Sequence, residues 1–237
     1  MSNAIIPLIS TVVSIAFAVT ILDQYFARRR PYQLIWAIGM FMYGISTFTE
    51  FWTGTWGLTA TIYRFWYLFG AICSAAYLGM GTLYLLMKRR AANIIMGILL
   101  VLTVYSLIRI FAFPINVTGT SLSDLKVMPV DIVSVTGLLN VFGTVALVGG
   151  AVWSAWIFWR KRILAHRVIY NVLIALGAMM PAIGGTLLRF GSPGLTLFFL
   201  LELSGAVIMF IGFLRSKEVF GLYRFPLIHG FKKVSKD

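Results

Sequence analysis

The sequence predicts an all-α membrane protein, a bundle of seven transmembrane helices, and three observations carry that prediction. Of 237 residues, 60% are hydrophobic and only 11% charged, with a mean hydropathy of +0.92. A water-soluble domain has roughly 45–50% apolar and about 25% charged residues. Seven apolar stretches reach the ~20 residues needed to cross about 30 Å of hydrocarbon. They lie near 4–26, 33–53, 61–87, 92–113, 131–159, 168–190 and 194–215. Finally, the basic residues cluster at alternate connections rather than in one patch, so the net charge of +13 marks membrane flanks and not a nucleic-acid surface.

Span one follows Met1-Ser2-Asn3, which carries no positive side chain, and no small-residue cleavage site precedes Arg28. It therefore reads as a retained span and not a removed signal. Asp23 lies near its end, where Arg28, Arg29 and Arg30 are placed to neutralise it. Span two carries Tyr43, Thr47 and Glu50 at i, i+4 and i+7, which places them on one helical stripe. Span three places Arg64 and Tyr67 at i, i+3, then Gly70, Ala71, Ser74, Ala75, Gly79 and Gly81. Span four has Tyr105 and Arg109 one turn apart, and span five repeats Thr136, Asn140 and Thr144 every four residues. Span five adds Gly137, Gly143, Ala146, Gly149 and Gly150, and span six Gly177, Ala178, Gly184 and Gly185. Helices in lipid associate through such small residues, so spans three, five and six are expected to form the tight interior. Pro181 removes a backbone donor and crowds the carbonyl of Gly177, which predicts a structural kink in span six. Span seven contains Glu202.

Threading seven spans alternately puts sixteen of the twenty Lys and Arg on one side, with only Arg64, Arg109, Lys126 and Arg189 elsewhere. The positive-inside rule then sets the N-terminus outside and the C-terminus in the cytoplasm. Residues 1–215 form the transmembrane domain. Residues 216–237 form a basic, aromatic-rich cytoplasmic tail suited to an anionic leaflet. The expected location is the cell membrane, multi-pass, in a bacterial inner membrane.

Ionisable groups within a membrane are functional candidates by default. Glu50 and Arg64 are equidistant from Gly57, and Arg109 and Asp131 from Thr120, so each pair is expected as an ion pair near the outer edge. Glu202 lies seven residues after Leu195, roughly 10 Å deep at 1.5 Å per residue, and its own hairpin offers no partner. It must pair with another helix, contact water or stay protonated. Asn140 and Pro181 fall at about 12 Å by the same rise. Together, Glu202, Asn140, Tyr43, Glu50, Arg64, Tyr67, Tyr105 and Arg109 predict a polar ligand-binding pocket that opens outward with Glu202 at its floor.

Several chemistries lack their residues. Spans six and seven contain no lysine for a retinal Schiff base. His166 and His229 sit outside the spans, so haem ligation is not expected. No His/Asp/Glu cluster of a zinc site occurs, Cys73 is the only cysteine, and no buried base accompanies a serine. The ten methionines are scattered and read as core filler. No metal, cofactor or enzymatic activity is expected.

The stretches YRFWYLFGAICSAAYLGMGTLYLL (Tyr63–Leu86), NVFGTVALVGGAVWSAWIFWRKR (Asn140–Arg162) and NVLIALGAMMPAIGGTLLRFG (from Asn171) resemble an uncharacterised family of bacterial seven-helix integral membrane proteins. More distantly they resemble the seven-helix sensor regions that precede some histidine kinases, although a short basic tail stands where those have an output domain. The resemblance implies no particular chemistry. The functional expectation is a non-enzymatic sensor or binding protein for a small or lipid-like ligand, or an accessory subunit with a protein partner or a homo-oligomer. The alternative is a small-solute transporter or channel using Glu202. The missing polar layer in the inner half and the lack of an inverted repeat speak against that alternative.

Overall fold

The computed structural model describes residues 2–117, 122, 127–160, 165–189 and 194–215. The basic tail 216–237, most of the connection 118–126 and the side chain of Arg189 lie outside the described residues. The described chain is all-helical. Its elements are α1 (Ser2–Arg28), α2 (Pro31–Trp56), α3 (Ala60–Phe65), a π-helical segment (Trp66–Ser74), α4 (Ala75–Leu86), α5 (Arg89–Ala112), α6 (Val130–Arg160), α7 (Ala165–Arg189) and α8 (Leu195–Arg215). Seven helices are long and apolar enough to cross a membrane, because α3, the π segment and α4 run on as one span, Ala60–Leu86.

Local chemistry sets the turns. Pro31 begins α2, where its missing N–H costs nothing and its fixed φ suits the first helical position. Gly57 ends α2 at φ 93°, a left-handed conformation that favours glycine. Thr59 then caps α3 by accepting a hydrogen bond from Ile62 N at 3.3 Å. Arg29 holds the α1–α2 turn at φ 51°, with its N–H donating to Tyr25 O at 2.7 Å.

The span borders agree with the sequence to within a few residues, but two features do not. Span three is not a regular α-helix: nine residues from Trp66 to Ser74 take π geometry. Such insertions leave no periodic mark in a uniformly apolar stretch. The interior is also not made by spans three, five and six. In spans two and three 56% and 61% of the apolar window is buried, whereas in span six the share is 22%, close to the 17% of the outlying span four. Small residues report that a helix is approached closely on one side, not how many neighbours it has. Gly177 is met by Met209 and Gly205 of α8, and Gly184 by Phe198 and Leu201 of the same helix, while Gly185 faces open space. Helix α7 continues through Pro181, whose ring lies against Gly205.

Six spans close a ring in the order α1, α2, span three, α6, α7, α8, and α5 leans on it from outside against α4, the π segment and α6. The closest crossing is between span three and α6. A Cβ added to Gly143 would enter the backbone of Ala75, and one added to Gly79 would stand 2.6 Å from Gly143 O. Within the ring, toward the end that carries Arg28–Arg30, an apolar cluster joins six spans through Phe17, Ile21, Met40, Leu78, Leu147, Ala178, Met209 and Phe213.

Gly143→Ala is therefore expected to lower stability by about 1–3 kcal/mol, the usual range for overpacking. Gly149→Ala, with nothing within 4 Å of its Cβ, is expected to leave stability unchanged. Unfolding of the two variants in mixed micelles compares them directly.

Candidate functional site

The polar stripe on α2 faces the bundle interior. Tyr43, Thr47 and Glu50 are each 4% exposed or less, and Glu202 on α8 is 7% exposed. The stripe exists because α2 spends one face on hydroxyl and carboxyl groups while its other faces carry Phe41, Phe48 and Ile38, all exposed on the bundle surface. Tyr43 donates its hydroxyl to the backbone carbonyl of Glu202 at 2.9 Å, tying α2 to α8. The carboxyl groups of Glu50 and Glu202 lie within hydrogen-bonding reach of each other. Trp66, at the start of the π segment, donates its indole N–H to Glu50 Oε1 at 2.8 Å. Beside them the Thr11 and Thr47 hydroxyls are hydrogen-bonded at 3.0 Å, bringing in α1.

This cluster has an electrostatic imbalance. Glu50 Oε2 and Glu202 Oε2 are buried and accept from no protein donor among the described residues. Two ionised carboxylates in contact away from water repel strongly and cannot hydrogen-bond to each other. The pair is complete only with a proton held between its oxygens or with a small cation. Its ligands would all be oxygen atoms, the donor type of hard cations. No group of three or more His, Cys, Asp or Glu side chains assembles among the described residues.

The other predicted site residues separate from this cluster. Arg64 does not pair with Glu50. It donates from Nε to Ile110 O at 3.1 Å and from Nη2 to Phe113 O at 2.9 Å, and its guanidinium stands 5.9 Å from the Phe111 ring. It thereby covers carbonyls that the end of α5 leaves without helical partners. Arg64 and Trp66 are about 200° apart on a helix of 3.6 residues per turn, so Trp66 faces Glu50 when Arg64 faces α5. The second expected ion pair is present: Arg109 Nε lies 2.9 Å from Asp131 Oδ2, and Tyr105 donates to that same oxygen at 2.6 Å. With side chains 42% and 34% exposed, Arg109 and Asp131 sit on the outer surface of the ring, remote in environment from Glu202. Asn140 acts as a helix clamp, donating Nδ2 to Ala71 O of the π segment at 2.6 Å and to Thr136 O at 2.9 Å. Tyr67 is fully buried and accepts from Thr136 Oγ1 at 3.4 Å.

The outward-opening pocket is thus corrected to a closed cluster. Tyr43, Glu50, Tyr67 and Glu202 are packed among side chains, while Tyr105 and Arg109 lie outside. The two cavities that stand out are elsewhere. One is a small apolar void of about 40 Å³ between Phe17, Met40, Leu147 and Met209, and the other a basic cleft at the Arg28–Arg30 end. Trp66 is not among the candidate site residues read from the sequence. It is 4% exposed. The available signal was its place one turn after Tyr63 on a span that must lie beside Glu50 across the Gly57 hairpin.

No protein-family model, curated protein or solved structure matches this chain.

Trp66→Phe should keep the ring packing and remove the indole donor, costing about 1–3 kcal/mol by leaving Glu50 less satisfied. Glu202→Leu should cost at least as much, since it strands Glu50 in the interior, whereas Glu202→Gln supplies an amide donor and should be nearly neutral. Thermal unfolding in one detergent ranks the three.

Proposed function

We propose that this chain is a non-enzymatic, multi-pass cell-membrane protein that senses or binds a proton or a small cation at the Glu50–Glu202 pair. In this reading its N-terminus is outside and its C-terminus cytoplasmic, which the sixteen clustered basic residues support. One observation carries the reading: two buried carboxyl groups on different helices meet beside Trp66 and Tyr43, with no basic side chain pairing with either among the described residues. Buried ionisable groups are expensive in lipid and are kept where their charge change does something. The pair bridges α2 and α8, so loss of its proton or cation drives the two helices apart, and α8 leads directly into the basic tail. That movement is the signal offered to a protein partner or to a second copy.

Transport through the same pair is the less favoured reading. Between the pair and the buried Gln24–Gln33 contact near the Arg-rich end lies the apolar cluster around Met40, Leu78 and Met209, which speaks against a polar path.

In nanodiscs, infrared difference spectra between acidic and alkaline buffer are expected to contain a protonated-carboxyl C=O band that both Glu50→Gln and Glu202→Gln remove. A spectrum unaffected by both variants overturns the proposal. Proteoliposomes are expected to hold an imposed proton gradient. Dissipation that Glu202→Gln abolishes would replace sensing with transport.

A further inference from the structure

We propose that the cleft between the α1–α2 turn and the start of α5 binds a phosphate group, as carried by an anionic phospholipid headgroup or by free phosphate. The cleft has a volume of about 570 Å³, within the range of sites that hold small ligands. Arg28, Arg30 and Arg89 supply three guanidiniums to its wall, Tyr32 and Tyr84 add phenolic hydroxyls, and Pro31 and Leu85 form an apolar side.

Three features make this more than a run of basic residues at a membrane flank. Two helices begin here. Arg30 and Lys88 occupy the N-cap positions of α2 and α5, neither forms a side-chain cap, and neither helix has an acidic residue in its first turn. Helix starts carry partial positive charge and unsatisfied N–H groups, and acids ordinarily balance them. Here Arg30, Lys88 and Arg89 stand at those helix starts, so the local charge calls for an external anion. The second feature is the direction of the turn. Arg29 adopts φ 51° and lays its guanidinium 5.6 Å from the rings of Tyr25 and Phe26, leaving its neighbours Arg28 and Arg30 to line the cleft. The third is rigidity. Tyr84 donates to Asn93 Oδ1 at 2.7 Å, which ties the end of α4 to the first turns of α5, and Arg89 and Arg30 line the same cleft. No ion pair engages Arg30 or Arg89 among the described residues. Planar guanidiniums bind phosphate oxygens in a bidentate manner, which selects phosphate over a simple halide. An apolar wall beside such a cluster is the arrangement by which membrane proteins hold anionic headgroups.

The test uses the full chain in two arms. In the lipid arm, native mass spectrometry measures retention of phosphatidylglycerol against phosphatidylcholine. In the soluble arm, inorganic phosphate is titrated against thermal stability in a neutral detergent, with chloride matched for ionic strength. The proposal expects at least a tenfold preference in one arm, lost in the Arg30→Gln/Arg89→Gln double variant and kept in Arg90→Gln, which changes a neighbouring charge outside the cleft. Preference in the lipid arm alone identifies a headgroup, and a shift in the soluble arm identifies free phosphate as a ligand. No preference in either arm overturns the proposal. So does an equal loss in Arg90→Gln, which would mean general surface attraction. Unaltered thermal unfolding of the double variant without ligand separates lost binding from lost folding.

Discussion

Two carboxyl groups that meet inside a hydrocarbon-embedded bundle impose the strictest condition on this structure. Among the described residues no basic side chain pairs with Glu50 or Glu202, and the surrounding helices supply neutral donors instead. Trp66 gives Glu50 an indole N–H, and Tyr43 fastens the backbone of α8 beside α2. The arrangement requires spans two, three and seven to meet at one level, and these are the three spans with the largest buried share. Removing the carboxyl from one partner without replacing its hydrogen-bonding capacity leaves the other buried and unpaired, which costs more than the pair itself contributes.

The π segment begins at the residue of span three that meets the pair, Trp66. An inserted residue widens the helix and rotates the side chains that follow it relative to those before. Arg64, just ahead of the segment, faces the end of α5, and Trp66, at its first position, faces Glu50. Asn140 crosses from α6 to donate to Ala71 O within the segment. One helix further along, Gly79 and Gly143 let span three and α6 touch backbone to backbone. A side chain that reads as a ligand in sequence therefore serves the geometry of the segment that presents Trp66.

Much of the fold was legible from residue order. Span borders, the Gly57 hairpin and the Arg109–Asp131 pair follow from hydropathy and from equal distances to a turn, both properties of the chain in one dimension. The failures have a common cause. Glu50 and Arg64 share a depth, but depth says nothing of azimuth, and two residues of rotation sent Arg64 to the α5 carbonyls. Span six is rich in glycine yet peripheral, because Gly177 and Gly184 serve a single neighbour, α8. Tyr105 carries a polar group on a regular stripe, and that stripe faces outward.

By itself the sequence determined how many helices are long and apolar enough to cross, where the positive charge clusters and which few ionisable groups fall within the spans. Those are questions of the transfer cost of each residue, and each residue answers them alone. Only the tertiary structure decided that Glu202 meets Glu50, that Trp66 donates to Glu50, and that arginines from two turns line one cleft. Such meetings depend on the rotation of each helix about its axis. That rotation is set by close backbone contacts between distant segments, which no single segment encodes.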